Sequence, residues 1–192
     1  FTESIKLLSE ENNIPVYIKK SLKTSDAYNW ILSMELDLII LGGGWPELLP
    51  LKVIKIPLVG CINTHPSLLP KFRGTDIHRW QVLNNVKKTG VTIHYIDKTF
   101  DTGAILGQRK IEIDTTDTPQ FLSEKIAKIS GYLMVDILNN HKKNYPNKIA
   151  SINNGDLEKN TKYFSKWKWN DNNFMQINWN YNNQIIISKI LA

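Results

Sequence analysis

Three residues have side chains whose types and spacing suit acyl transfer: Asn63, His65 and Asp101. Asn63 and His65 stand two positions apart at the end of Val59–His65, an apolar run that reads as a strand. Alternate residues of a strand share a face, so the amide and the imidazole point the same way. Ligands of open α/β sheets bind beyond the C-terminal ends of the strands, where this pair lies. An amide NH2 can donate to an oxygen that turns negative as an acyl carbon is attacked, and an imidazole can move a proton near neutral pH. Asp101 opens Asp101-Thr102-Gly103, one loop, one helix and one strand further on. A carboxylate beside an imidazole raises its pKa and fixes its orientation. Each piece alone has another explanation. A histidine at a strand end is commonly structural, and Asp-Thr-Gly is what any tight turn uses.

The elements around these residues follow from periodicity. Residues 3–12 read as a helix and Ile14–Ile18 as a short strand. Ser25 and Asp26 can cap a helix with Ala27, Trp30, Ile31 and Met34 on its apolar face. Leu36–Leu41 reads as a strand buried on both faces, ending in Gly42-Gly43-Gly44. Pro66 and Pro70 bracket a loop that Gly74 closes, and residues 75–86 read as a helix. Gly90–Asp97 alternates and is β-branched, and a turn leads to a further strand, Ala104–Ile113. Thr118 as N-cap and Pro119 at the first position start a long helix. Its core face would be Leu122, Ile126, Ile129, Leu133 and Ile137, with Gly131 allowing close packing. This order predicts an α/β fold. After about residue 150 asparagine becomes dense and aromatics cluster, and Trp179, Tyr181 and Ile185–Ile187 suggest a short terminal hairpin.

Composition excludes several classes. With 42% hydrophobic and 22% charged residues the 192-residue chain is ordinary for a globular protein. No apolar run reaches the roughly 18 residues that spanning a bilayer needs, so no membrane partner is expected. The single cysteine, Cys61, excludes an internal disulfide or a multi-cysteine zinc site and points to a reducing, cytoplasmic location. No ligand cluster suggests a metal. The net charge of +6 favours an anionic partner, but the lysines are spread thinly and read as a solvated surface.

The stretch Gly60–Ile105 resembles the catalytic core of the folate-dependent formyltransferases. The matching pieces are Cys61-Ile-Asn-Thr-His-Pro-Ser-Leu-Leu-Pro-Lys-Phe-Arg-Gly74, Gly90-Val-Thr-Ile-His-Tyr-Ile-Asp97 and Phe100-Asp-Thr-Gly-Ala-Ile-Leu106. The resemblance implies a Rossmann-like formyltransferase fold with a mixed sheet, and Asn63, His65 and Asp101 as its catalytic residues. It implies N10-formyltetrahydrofolate as co-substrate, with no metal. It places the folate against the Gly42–Leu49 loop, with Gly43, Gly44, Glu47, Leu48 and Leu49 as binding residues. Ser67, Leu68, Leu69 and Pro70 would lie beside it, and Ile96, Lys98 and Phe100 would complete the pterin site. Arg73 belongs to the same motif without a catalytic role, and His94 reads as packing or hydrogen bonding on the sheet.

Within that family the segment Tyr163-Phe-Ser-Lys-Trp-Lys-Trp169 resembles the tail of sugar N-formyltransferases, which act on dTDP- or GDP-linked 4-amino-4,6-dideoxy sugars for surface polysaccharide (O-antigen) synthesis. The expected partner is therefore a nucleotide sugar rather than nucleic acid. The expected organisation is a catalytic domain, residues 1–150, followed by an extension, 151–192. The 25 residues after Trp167 look too few for a tRNA-binding domain, and the family's first strand is expected upstream of residue 1. A homodimer is expected from the apolar terminal hairpin. The alternatives are a glycinamide ribonucleotide or methionyl-tRNA formyltransferase, and, more remotely, a folate- or nucleotide-binding protein without catalysis. An aspartic protease, suggested by Asp-Thr-Gly-Ala, requires an all-β fold with two such aspartates, and an RNA-binding module would rest on charge and aromatics alone.

Overall fold

A computed structural model describes residues 2–42, 45, 47–145, 147–151, 162–166, 177–178 and 180–192. Helices α1 (Thr2–Glu11) and α2 (Ser25–Ser33) precede strand β1 (Leu38–Leu41), the single-turn helix α3 (Leu51–Ile54) and strand β2 (Gly60–His65). Then follow the two-residue strand β3 (Arg73–Gly74), helix α4 (Ile77–Leu83), and the long strands β4 (Lys88–Tyr95) and β5 (Ile105–Glu112). Helix α5 (Pro119–His141), strand β6 (Tyr163–Phe164) and helix α6 (Asn183–Leu191) complete the described chain.

The main sheet has the order β1-β2-β4-β5, with β1 and β2 parallel and the other pairs antiparallel. The mixed α/β sheet agrees with the sequence expectation and excludes the all-β protease. One face carries Ile62, Val91 and Ile93 against Val82 of α4 and Leu122, Ile126, Leu133 and Ile137 of α5. Burying each such side chain stabilises by about 1.5–3 kcal/mol. On the opposite face Cys61 joins Ile31, Leu49 and Val53, with Leu41, Trp45 and Ile96 packed around them.

Helix α5 begins as read from the sequence: the Thr118 side chain accepts from the Phe121 N–H and Pro119 occupies the first turn. Gly131, however, lies on open surface, where an added Cβ would meet nothing within 4 Å. The close approach is made by Gly107 of β5, where a Cβ would come within 2.9 Å of Ile137 Cδ1. At α2 the cap is Thr24, whose hydroxyl accepts from Ala27 N, rather than Ser25 or Asp26.

Three other expectations change. Ile14–Ile18 forms no strand, and Ile14, Val16 and Ile18 are exposed, because no described strand lies beside them to complete a ladder. Strand β1 is not buried on both faces: α5 packs on β4 and β5, and Ile40 remains 44% exposed. The terminal hairpin is instead helix α6. Asn182 caps it by accepting from Ile185 N, and its far end reaches α4 and the main core through Leu191 and Ala192. A side-chain cap and helix packing thus outweigh the strand preference of the β-branched run Ile185–Ile187. Trp167, Trp169 and Trp179, and with them part of the aromatic extension, lie outside the described residues.

Candidate active site

Antiparallel register builds the site. Asn63 lies opposite His94, and His65 opposite Thr92, so four polar side chains share one face of β2 and β4. A bulge in the β4–β5 pairing falls between Ile93 and His94. Bulges bend a strand and re-aim its side chains. His65 and His94 are 3% and 2% exposed, and their rings meet edge to face at 6.4 Å.

Asp101 arrives from the turn between β4 and β5. Its backbone is left-handed, at φ 55, a region open to few residues other than glycine, asparagine and aspartate. Asp97 holds that turn by accepting from Thr99 N and the Thr102 hydroxyl. Gly103 is required by crowding, since a Cβ there would lie 1.8 Å from the Tyr95 carbonyl oxygen. In this setting Asp101 Oδ2 accepts from Gly74 N at 2.8 Å, and Oδ1 lies 3.4 Å from His65 Nδ1 and 3.8 Å from His94 Nε2. Arg73 fastens the same two segments together, its Nη2 donating to the Phe100 carbonyl at 2.7 Å.

The proton positions follow from the partners. His65 Nε2 is 2.7 Å from the Phe72 carbonyl, which can only accept, so Nε2 carries a hydrogen. The nitrogen free to gain a proton is Nδ1, beside Asp101. Burial holds the His65 pKa below the ordinary histidine value, opposed by the Asp101 carboxylate and the Phe72 carbonyl and reinforced by Arg73. The ring is therefore a neutral base with a carboxylate waiting at its free nitrogen. Phe72 itself has a left-handed backbone, unusual for a bulky residue, and its ring stacks on Phe164 at 4.8 Å.

The structure thus brings Asn63, His65 and Asp101 together around His94, to which the sequence assigns only a place on the sheet. The available signal is the alternation of Thr92 and His94 on the polar face of β4. The fold also joins Tyr163 to the neighbourhood: β6 pairs in parallel with β3, and the Tyr163 ring lies 6.3 Å from that of Phe100. Gly74 permits this, because a Cβ there would lie 2.0 Å from the Phe164 carbonyl oxygen.

The residues expected around the folate divide into groups. Leu49 is buried at 6%, and Ile96 packs in the same apolar cluster as Trp45. Leu48 is partly exposed, Lys98 is exposed and Glu47 accepts from the Ser21 hydroxyl at 2.8 Å. Gly43 and Gly44 lie outside the described residues. Ser67 is turned inward, donating to the Lys71 carbonyl at 2.6 Å. Leu69 is held through its backbone: its N–H donates to the Thr92 hydroxyl and its carbonyl accepts from Gln108. Leu68 is close to Gly90 of β4, and Pro70 is half-buried after a cis Leu69–Pro70 bond. Phe100 presents its carbonyl to Arg73 and its ring to Tyr163. Among the described residues no group of His, Cys, Asp and Glu could hold a metal ion, and no helix is long and apolar enough to cross a membrane.

Comparison with known proteins places this geometry. A family model described as formyl transferase matches residues 2–138. The methionyl-tRNA formyltransferase of Ehrlichia canis is 39% identical over 136 residues, which is 71% of this chain and 45% of that protein. The chain therefore spans about half the length of the curated relatives it matches. A crystal structure of a sugar 3N-formyl transferase with dTDP and 5-N-formyl-THF superimposes with a TM-score of 0.73 at 22% identity, covering 97% of this chain and 61% of the other. An N-formyltransferase from Helicobacter canadensis, in complex with folinic acid and dTDP-3-aminofucose, gives 0.70 at 26% identity, covering 95% of this chain and 61% of the other.

Proposed function

The chain belongs to the formyl transferase family, and from that premise we propose that it transfers the formyl group of N10-formyltetrahydrofolate to the amino group of a nucleotide-linked 4-amino-4,6-dideoxy sugar. The observation that carries the transfer chemistry is the convergence of Asn63, His65 and Asp101 on one end of β2, with a neutral His65 whose free nitrogen faces the carboxylate.

In this reading an uncharged amine attacks the formyl carbon, and the formyl oxygen gains negative charge. The Asn63 amide donates to that oxygen, a contribution of about 3–4 kcal/mol in the transition state. His65 takes the proton lost by the amine at Nδ1 and returns it to the departing N10, so that N10 leaves as a neutral amine. Asp101 stabilises the imidazolium formed between the two transfers. The folate belongs against residues 42–49 and 96–101. Trp45 fits that assignment: its indole N–H is buried without a protein partner, beside Leu41, Leu49 and Ile96, where a flat heterocycle with acceptor nitrogens and oxygens would receive it.

Two observations favour the sugar acceptor. The structural likeness to sugar N-formyltransferases covers 95–97% of the chain, against 65–71% for phosphoribosylglycinamide formyltransferases, while the 39% sequence identity to methionyl-tRNA formyltransferase extends over 71% of it. Strand β6 also sets Tyr163, 44% exposed, next to Phe100 and so next to Asp101, an aromatic wall suited to a sugar or base. That sequence identity is the specific reason for a second reading, formylation of methionyl-tRNA. Chain length does not separate the two, because the chain spans only 45% of that relative. Glycinamide ribonucleotide is the third acceptor to be assayed. A cytoplasmic homodimer for polysaccharide synthesis belongs to the sugar proposal. Its dimer contact would use Ile187 and Ile190, which α6 leaves 46% and 60% exposed, and sizing that gives only monomer removes that part.

The test is tetrahydrofolate release from N10-formyltetrahydrofolate with dTDP- and GDP-linked 4-amino sugars, glycinamide ribonucleotide and methionyl-tRNA as separate acceptors. Release with a nucleotide sugar alone supports the proposal. Release with methionyl-tRNA alone overturns the sugar reading and keeps the chemistry, and release with none overturns each of these acceptor readings.

A further inference from the structure

We propose that His94 is a positioning residue that holds the Asn63 side chain with its NH2 turned into the site. It does so by presenting a hydrogen-bond acceptor that only an amide nitrogen can satisfy. This rests on the reading of Asn63 as the donor to the formyl oxygen, not on which amine is formylated.

The inference follows from the order in which the partners fix one another. His94 Nδ1 lies 2.8 Å from the Tyr95 carbonyl, an acceptor only, so Nδ1 carries the ring hydrogen. In the neutral ring Nε2 is then a lone pair. Its hydrogen-bond partner is Asn63 Nδ2, at 3.3 Å. The amide oxygen cannot occupy that place without setting two lone pairs against each other. One N–H of Asn63 is thereby held by His94 and the other is left for an incoming oxygen. Without His94, nothing would hold the Asn63 NH2 turned into the site, and the side chain would be free to set its oxygen against an oxyanion or to turn away from it.

The surroundings enforce the same state. His94 is 2% exposed, stands directly across from Asn63 in the register and sits at the bulge of β4. The charged and titratable groups facing it are His65, Asp101 and Asp97. Burial, with the His65 ring, pushes its pKa down to about 4 against the pull of Asp101, the Tyr95 carbonyl and Asp97, so the ring is neutral wherever the enzyme would work. Asp101 Oδ1 is 3.8 Å from Nε2, beyond hydrogen-bond range, and leaves that nitrogen to Asn63.

Variants of the full chain test this. His94→Phe is expected to lower kcat about 10- to 100-fold, part of what one oxyanion donor contributes, with the KM for the folate changed by less than about twofold. His94→Gln, whose amide oxygen can accept from Asn63, is expected to recover most of that loss. In an Asn63→Ala background His94→Phe is expected to cost less than about twofold, since nothing is left to position. Equal losses in both backgrounds, or no loss in either, overturn the proposal. Nitrogen-detected NMR of the labelled protein is independent of turnover. It is expected to find His94 as the Nδ1–H tautomer between pH 6 and 8, and a protonated Nε2 in that range overturns the proposal even if no acceptor is turned over. An inactive wild type with the expected tautomer would overturn the formyl-transfer reading and leave the His94–Asn63 bond standing.

Discussion

Replacing Asp101 by asparagine separates charge from shape at the centre of the site. The two side chains are nearly isosteric, and the carbonyl oxygen of the new amide can still accept from Gly74 N, the bond that Asp101 Oδ2 makes at 2.8 Å. The NH2 of that amide would then face His65 Nδ1, 3.4 Å from the present Oδ1. Because His65 Nε2 already donates to the Phe72 carbonyl, Nδ1 is a lone pair, and the new amide would donate to it and cap the base. The carboxylate that supports the imidazolium would also be lost. At 3.4 Å and an effective dielectric of about 20, that attraction is about 5 kcal/mol. At about 1.4 kcal/mol per tenfold, this sets a ceiling of roughly three to four powers of ten. Relaxation and solvent entry reduce it, and we expect Asp101→Asn to lower kcat by about 10²- to 10³-fold with little change in the KM for the folate. Weakening the Gly74 bond from charged to neutral costs about 1 kcal/mol, or about 2–4 °C in Tm, so the fold survives. Tetrahydrofolate release at saturating acceptor, with a melting curve on the same sample, decides the matter. A kcat within threefold of wild type, or a loss confined to KM, refutes the assigned role.

Gly74→Ala sets a Cβ against the Phe164 carbonyl oxygen at 2.0 Å on a backbone at φ 115, so it should release β6 and destabilise by more than about 2 kcal/mol; an unchanged urea midpoint contradicts this. His78 and His94 are held at about 4 by burial, below the ordinary 6.5, so the unfolded chain takes up protons first as pH falls. Their stabilisation is complete above about pH 6.5 and is lost progressively towards 4; a Tm that stays flat from pH 7 to 4.5 counts against it. Cys61 is 1% exposed and its thiol is pushed up to about 11 by burial, so it should resist a disulfide reagent at pH 8 until urea unfolds the chain; rapid native labelling would disprove it. Thr92→Val removes the hydroxyl that donates to the Ser67 carbonyl and accepts from Leu69 N and Gln108, and should cost about 2–4 kcal/mol in urea unfolding; a loss under about 0.5 kcal/mol would show that the 67–70 loop is held otherwise.

What the sequence made legible follows from the period of each element. Asn63 and His65 share a face because a strand repeats every two residues, and Thr118-Pro119 starts α5 because capping is local. Where the outcome depends on a distant neighbour, local preference misleads. Ile14–Ile18 has strand composition but no described strand beside it. Ile185–Ile187 has strand composition too, yet Asn182 and the flank of α4 make it helical. The close contact expected of Gly131 falls instead to Gly107, because a helix glycine matters only on the face turned to the sheet.

His94 shows the same division inside the site. Its place on the polar face of β4 is visible from alternation with Thr92, but alternation leaves open which residue of β2 stands across from it. A register one residue different would have set Ile62 or Thr64 there and taken Asn63 out of reach, because adjacent positions point to opposite faces. The observed register places Asn63 opposite His94, and the left-handed backbone of Asp101 brings its carboxylate up to His65. One strand period therefore announces half of the site, and antiparallel pairing supplies the other half. The residues that pairing adds are the ones proposed to fix protons and amide orientations, which is why strand period and motif point to the candidate reacting groups before they point to what would hold them.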